Sequence, residues 1–195
     1  MRRGLTAFFP ICLCVSFAGG CATAYGTDQL KTIFDQGVSA YDAGHYEEAF
    51  RIFKSIDGED VAAMRNEGLM LRKGLGTAKD PQAAEDILER AAEAGLPTAQ
   101  YDLAEMLLNG EAGEADPKAA LPWLTRAAAS HHPIAEFRLG QMFEEGKLVD
   151  KDMKTARTLY GEAAAAGVPG AKERLAALGG PVPGAQPPLV PSAKP

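Results

Sequence analysis

A fixed period of 36 residues runs through the middle of the chain and constrains its fold more than any other feature. Prolines recur at this spacing at Pro97, Pro133 and Pro169. Repeats of this length are supersecondary units that must stack on one another to bury a shared core. The period therefore predicts a solenoid. The same step relates three further sets of residues: Ala63, Ala99, Ala135 and Ala171; Gly74, Gly110 and Gly146; and Asp80, Asp116 and Asp152.

Each repeat is predicted to contain two antiparallel helices, and the second helix has a clear start. Asp80-Pro81 and Asp116-Pro117 place a capping carboxylate before a proline. The missing N–H of proline is harmless in the first turn of a helix, where that group has no partner within the helix. These dipeptides therefore mark the first residues of second helices.

The end of the second helix is marked just as clearly. Gly95 and Gly167 supply a residue that accepts positive φ, and Pro97 and Pro169 then open the next helix. His131 stands at the glycine position in the middle repeat, and histidine enters the left-handed region more readily than most residues.

Apolar and small residues recur at intervals of three to four and predict one buried stripe on each helix. Glu67 interrupts the stripe at the position of Leu103 and Leu139, which predicts looser packing in the first 36-residue repeat. The predicted core positions are Ala63, Ala99 and Ala135; Leu103 and Leu139; Gly68, Ala104 and Gly140; Leu71, Leu107 and Phe143; Ala84, Ala120 and Ala156; Ile87, Trp123 and Leu159; and Leu88, Leu124 and Tyr160.

The repeated segments resemble the Sel1-like repeat family, a relative of the tetratricopeptide repeat. The resemblance covers residues 61–178 and is carried by LRKGLGTAKDPQAAEDILERAAEAG, LLNGEAGEADPKAALPWLTRAAAS and FEEGKLVDKDMKTARTLYGEAAAAG. The preceding segment, 27–60, resembles an ordinary tetratricopeptide repeat, with Gly37, Gly44, Tyr46, Ala49 and Phe53 at that family's positions. The resemblance implies an all-α, right-handed superhelical solenoid of antiparallel helix pairs. It would comprise one tetratricopeptide-like pair, three Sel1-like repeats and a capping helix from Pro169 to Leu178.

The N-terminus has the pattern of a bacterial export leader. Arg2 and Arg3 precede a mostly apolar stretch from Leu5 to Phe17, which is shorter than the roughly 20 residues that cross a membrane. Two processing sites remain open. Residues 18–21, AGGC, resemble a lipobox, which predicts a leader of 1–20 and an outer-membrane lipoprotein anchored at Cys21. Residues 22–24, ATA, resemble an ordinary cleavage site, which predicts a leader of 1–24 and a soluble periplasmic protein.

Composition excludes several classes of function. All three cysteines lie in or beside the leader, so neither disulfides nor thiol-based metal sites are predicted in the folded part. The net charge is −6 and becomes about −8 once Arg2 and Arg3 are removed, the opposite of a nucleic-acid-binding protein. Residues 179–195 are rich in proline and glycine and are predicted to be disordered.

No catalytic or cofactor motif is found. The serines outside the leader lie in neither G-x-S-x-G nor S-x-x-K, and no H-E-x-x-H is present. His131 and His132 are adjacent and cannot share a helical face, so no metal site is predicted. Glu144 and Glu145 are interpreted as solvated carboxylates. A cell-wall enzyme or penicillin-binding protein remains the alternative to a non-catalytic scaffold.

The family resemblance implies that the first helix of each repeat lines a concave groove for a protein or peptide partner. The groove would be basic towards the N-terminus, aromatic in the centre and acidic towards the C-terminus, and no small-molecule substrate is evident. The implied groove residues are Arg65, Leu69, Arg72 and Lys73; Tyr101, Glu105, Leu108 and Asn109; and Phe137, Gln141, Glu144 and Glu145.

Overall fold

A computed structural model describes residues 25–180. The predicted leader with Cys21 and residues 181–195 of the predicted tail lie outside the described residues. Between residues 25 and 180, no helix is both long enough and apolar enough to span a bilayer. The described part of the chain forms nine helices: α1 Thr27–Asp42, α2 Tyr46–Ser55, α3 Val61–Lys73, α4 Pro81–Glu93, α5 Pro97–Asn109, α6 Pro117–Ala129, α7 Pro133–Glu145, α8 Met153–Ala165 and α9 Ala171–Ala177.

The helices pack in sequence order as antiparallel pairs. The pairs are α1 with α2, α3 with α4, α5 with α6, and α7 with α8, and each second helix also packs against the first helix of the next pair. The last helix, α9, packs on α8. The prediction of an all-α solenoid of helix pairs is confirmed.

Aspartates cap the helices that the sequence marks. The side chains of Asp80 and Asp116 accept hydrogen bonds from the backbone N–H groups of Ala83 and Ala119, at 3.0 and 2.9 Å. Pro81 and Pro117 are the first helical residues, as predicted. Such a cap satisfies an N–H that the helix leaves without a partner.

The junctions between repeats use left-handed residues, with one departure from the prediction. Gly95 and Gly167 have φ values of 91° and 82°, and His131 has φ 57°. Pro169, which was predicted to open the last helix, precedes it instead, because Gly170 adopts φ 81° and α9 begins only at Ala171. The capping helix is therefore seven residues long.

The predicted small core positions are fully buried. Ala63, Ala99 and Ala135 on the first helices have no exposed surface, and neither have Ala84, Ala120 and Ala156 on the second helices. A Cβ added at Gly140 would lie 3.0 Å from Cε1 of Tyr160, so this position needs glycine for close approach. Three predicted core residues, Ile87, Leu107 and Trp123, are only half-buried. Trp123 packs between two core clusters, with the guanidinium of Arg126 over its ring at 4.7 Å.

Glu67 is buried although its side chain is polar. It is 2% exposed, while Leu103 and Leu139 at the same register are each 1% exposed. Its Oε2 has no hydrogen-bond partner. Burial, reinforced by Asp57, raises the pKa of the Glu67 carboxyl, and Lys54 and Arg90 act in the opposite direction.

Candidate partner-binding groove

The twelve implied groove residues occupy the same four registers on α3, α5 and α7. We call the surface that they form the first-helix face. Only the residues at the last helical position, Lys73, Asn109 and Glu145, are exposed; the other nine are half-buried. The face is therefore formed largely by side chains that also pack against their neighbours.

The arginines at the N-terminal end of this face are paired with acids from the next repeat. Nε of Arg65 donates to Oδ2 of Asp102 at 2.6 Å, and Asp102 is only 8% exposed. Arg72 makes a bidentate ion pair with Glu111, with 2.6 Å between its Nε and Oε2 of the carboxylate. Hydrogen bonding to Arg72 lowers the pKa of Glu111, as expected for a stabilised carboxylate.

The acids further along the face are paired in the same way. Oε2 of Glu105 accepts from Arg138 at 3.0 Å, and Glu144 accepts from Arg174 at 3.2 Å. The hydroxyl of Tyr160 also donates to Oε2 of Glu144, at 2.6 Å. The charges of Arg65, Arg72, Glu105 and Glu144 are thus balanced by a ladder of ion pairs, each of which joins one repeat to the segment that follows it.

The two aromatic residues of the face pack against neighbouring rings. The ring of Tyr101 lies parallel to that of His132, with 4.8 Å between centroids and 20° between planes. Phe137 packs against Tyr160 at 5.5 Å. Burial raises the pKa of Tyr101 and lowers that of His132, so the phenol and the neutral imidazole are favoured. Part of each aromatic surface is therefore used inside the protein.

A pocket of about 280 Å³ opens at the N-terminal end of the first-helix face. Leu69 and Lys73, two of the implied groove residues, contribute to its wall. The remaining lining comes from the first three helices: Val38 and Tyr41 on α1, Phe53 on α2, and Asn66 and Met70 on α3. A pocket whose walls are apolar except for Asn66, with one exposed ammonium group at its edge, can accept an apolar side chain beside a carboxylate.

Several residues of this surface were missed by the sequence analysis. Asn66, Asp102, Arg138 and Arg174 share one register of the 36-residue period, next to the register of Tyr101. Three of them hold the ladder together. The available signal was that each charged residue at this register follows a residue of opposite charge in the preceding repeat: Arg65 before Asp102, Glu105 before Arg138 and Glu144 before Arg174.

The carboxylates of this face have structural partners. Glu144 binds Tyr160 and Arg174, and Glu145 forms an ion pair with Lys147 at 2.9 Å. The hydroxyl of Ser55 donates to the carbonyl of Ile52 within its own helix. Glu144, Glu145 and Ser55 are thus each engaged in a contact within the protein.

Comparison with known proteins identifies the repeats. Three consecutive matches to the Sel1 repeat, at residues 61–96, 97–132 and 133–168, cover more than half of the chain. The chain belongs to the Sel1 repeat family. Sel1 repeats typically form protein-interaction scaffolds and are usually non-catalytic. No curated protein matches the chain.

Two solved structures are similar to this Sel1 repeat protein. A Sel1 repeat protein from Oxalobacter formigenes is 32% identical with a TM-score of 0.68, and the match covers 73% of this chain and 58% of that one. The protective antigen c5321 of uropathogenic Escherichia coli strains, which displays an SLR fold, is 22% identical with a TM-score of 0.69; that match covers 76% of this chain and 33% of that one. The chain thus spans less than two thirds of either protein, and c5321 supports the fold alone.

Proposed function

We propose that this Sel1 repeat protein is a non-catalytic scaffold of the bacterial cell envelope that binds an extended segment of a partner protein along its first-helix face. The observation that carries the proposal is the pocket between α1 and α3, which lies on that face and is open to an apolar side chain. An apolar anchor in a pocket, with a charged group at its rim, is a common way for a protein to hold a peptide.

The ladder of ion pairs supports the pocket, rather than the rest of the first-helix face, as the main contact with the partner. Arg65, Arg72, Glu105 and Glu144 are already bound to opposite charges, so a partner would have to break those pairs to use them. Lys73 is exposed at the edge of the pocket. The partner segment is therefore proposed to place an apolar residue in the pocket and an acidic residue, or a terminal carboxylate, against Lys73.

Photo-crosslinking in intact cells tests the position of the groove. A photoreactive residue replacing Asn66, on the pocket wall, should crosslink one partner reproducibly. The same residue replacing Lys118, which is exposed on the second helix α6, should not crosslink it. Equal crosslinking of the same protein from both positions would contradict the proposal.

Charge reversal then tests the contact at the rim of the pocket. Lys73→Glu should weaken binding of the crosslinked partner about tenfold or more, since one attraction becomes a repulsion. Lys118→Glu is the matched control because it makes the same change of charge at an exposed position on the second helix α6, away from the first-helix face. Equal losses from the two variants would point to net charge rather than to the pocket.

The location in the envelope is proposed from residues 1–24 and has its own test. Intact-mass measurement of the protein from its native membrane should show a lipid-modified Cys21 at the N-terminus, and Cys21→Ala should release the protein from the membrane fraction. An unmodified N-terminus after Ala24 would support the soluble periplasmic form. A retained leader in a cytoplasmic protein would overturn the proposed location.

A further inference from the structure

Three metal-ligand residues meet at the junction between the second and third Sel1 repeats. His131 follows the C-terminal end of α6, Glu136 lies in the first turn of α7, and Glu162 lies near the C-terminal end of α8. One donor atom from each residue lies within 4.8 Å of the other two. Nδ1 of His131 is 3.2 Å from Oε1 of Glu136. One imidazole and two carboxylates from three separate segments thus converge on one point.

The carboxylates of this cluster are insufficiently compensated. Glu136 is 2% exposed, and Oε2 of Glu162 is buried without a hydrogen-bond partner. A buried carboxylate is stable only when a positive charge or several hydrogen bonds compensate for the water that it loses. The position therefore favours a cation.

The preceding junction of the solenoid shows what these registers hold when no such cluster forms. Gly95, Gln100 and Arg126 occupy the positions of His131, Glu136 and Glu162. Nε2 of Gln100 donates to the carbonyl oxygen of Ala92 at 3.1 Å. A carboxylate at that register cannot make this donation. At the later junction, Glu136 therefore replaces the residue that makes this hydrogen bond, and Glu162 replaces the positive charge of Arg126. All three residues that can bind a metal occur together at this one junction.

We propose that His131, Glu136 and Glu162 bind a divalent transition-metal ion, with Zn²⁺ as the best fit, and that the ion joins the second repeat to the third. Zinc takes nitrogen and carboxylate oxygen ligands at about 2.0–2.2 Å, which places the ligand atoms up to about 4 Å apart, so small side-chain rotations close the site. The side chain of His131 is 72% exposed, which opens the site to solvent and leaves room for a water molecule as fourth ligand.

Zinc titration of the chain purified without a histidine tag tests the site. Calorimetry should give one zinc ion per chain, and saturating zinc should raise Tm by several degrees because the ion binds the folded state preferentially. Mg²⁺ at the same concentration should give a much smaller shift, since it favours oxygen ligands and keeps its water. His131→Gly, Glu136→Gln and Glu162→Gln should each weaken zinc binding at least tenfold.

Two of these variants copy residues that the preceding junction already accepts, so loss of binding can be separated from loss of folding. Without zinc, the double variant His131→Gly/Glu136→Gln, which copies Gly95 and Gln100, should melt at or above the wild-type temperature. Glycine adopts positive φ without strain, and the glutamine leaves no buried carboxylate without its His131 partner. His132→Asn is the matched control; His132 caps α7 through a bond from the N–H of Ala135, and asparagine keeps that function. It should bind zinc as the wild type does. The proposal would be overturned if zinc showed no saturable binding at concentrations up to about 100 times a micromolar Kd. It would also be overturned if the wild type, His131→Gly and Glu136→Gln bound zinc with equal affinity.

Discussion

Replacing Glu67 with leucine should stabilise the protein. Glu67 occupies the core register where the next two repeats have Leu103 and Leu139, and it is 2% exposed. The substitution removes a buried carboxyl group, one oxygen of which has no hydrogen-bond partner. It also gives the first Sel1 repeat the side chain that the other two already pack.

The expected gain follows from two opposing effects. A buried polar atom without a partner costs about 1–3 kcal/mol. The carboxylate is attracted to Lys54 and Arg90, but both are exposed, and such attractions contribute at most about 1 kcal/mol. A net gain of about 1–2 kcal/mol in the free energy of unfolding corresponds to a rise in Tm of roughly 2–8 °C for a chain of this size.

The rise in Tm should depend on pH, because it is attributed to burial of a carboxylate that can be protonated. Burial raises the pKa of Glu67 above its ordinary value of 4.5, so the folded state holds the proton more tightly than the unfolded state. The stability that Glu67 contributes is complete below pH 4.5 and is lost as the pH rises through its folded-state pKa. Glu67→Gln, which removes the charge alone, should therefore raise Tm more at pH 7 than at pH 4.

Thermal unfolding followed by circular dichroism at the two pH values is the assay. Leu139→Glu is the reciprocal control, because it places the same carboxylate at the same register of the third repeat, and it should lower Tm. An unchanged or lower Tm for Glu67→Leu at pH 7, with a native spectrum, would refute the reasoning. It would mean that Lys54 and Arg90 compensate fully for burial of the carboxylate.

Two further predictions concern packing and capping. Gly140→Ala should lower the free energy of unfolding by about 1–3 kcal/mol, because its Cβ would press on the ring of Tyr160. Gly161→Ala should raise the free energy of unfolding by about 0.5–1 kcal/mol, because this glycine lies in the interior of α8 with no atom within 4 Å of the new Cβ. Denaturant titration of both variants measures the difference, and equal effects would contradict the prediction. Asp116→Ala should cost about 1 kcal/mol by removing the cap of α6, while Asp116→Asn should cost less.

The sequence was sufficient to predict the helices because their ends depend on local chemistry. Asp80-Pro81 and Asp116-Pro117 start helices by capping, and Gly95 and Gly167 end them through positive φ. The prediction for Pro169 was wrong because Gly170 also accepts positive φ and delays the start of α9. Because Pro169 and Gly170 can both precede a helix, local chemistry alone does not decide at which residue α9 begins.

The candidate sites were less predictable because they depend on distances across repeats. Arg65 reaches Asp102, 37 residues later, and the residues of the zinc cluster come from three different segments. His131 was correctly assigned to the left-handed position, but its contact with Glu136 and Glu162 requires the fold. The repeat period predicts the helix face on which a residue lies. Predicting a site also requires the distances between side chains on different helices, which the period does not give.

The ladder of ion pairs changes how mutations of the first-helix face should be interpreted. Arg65→Ala would leave Asp102 nearly buried without its partner, and loss of one partner of a buried pair is strongly destabilising. Removing Tyr101 or Phe137 would likewise expose the ring against which each packs. Weaker binding in such variants would not show that these residues touch a partner. Lys73 is exposed beside the pocket, so its substitution can test recognition with little effect on the fold.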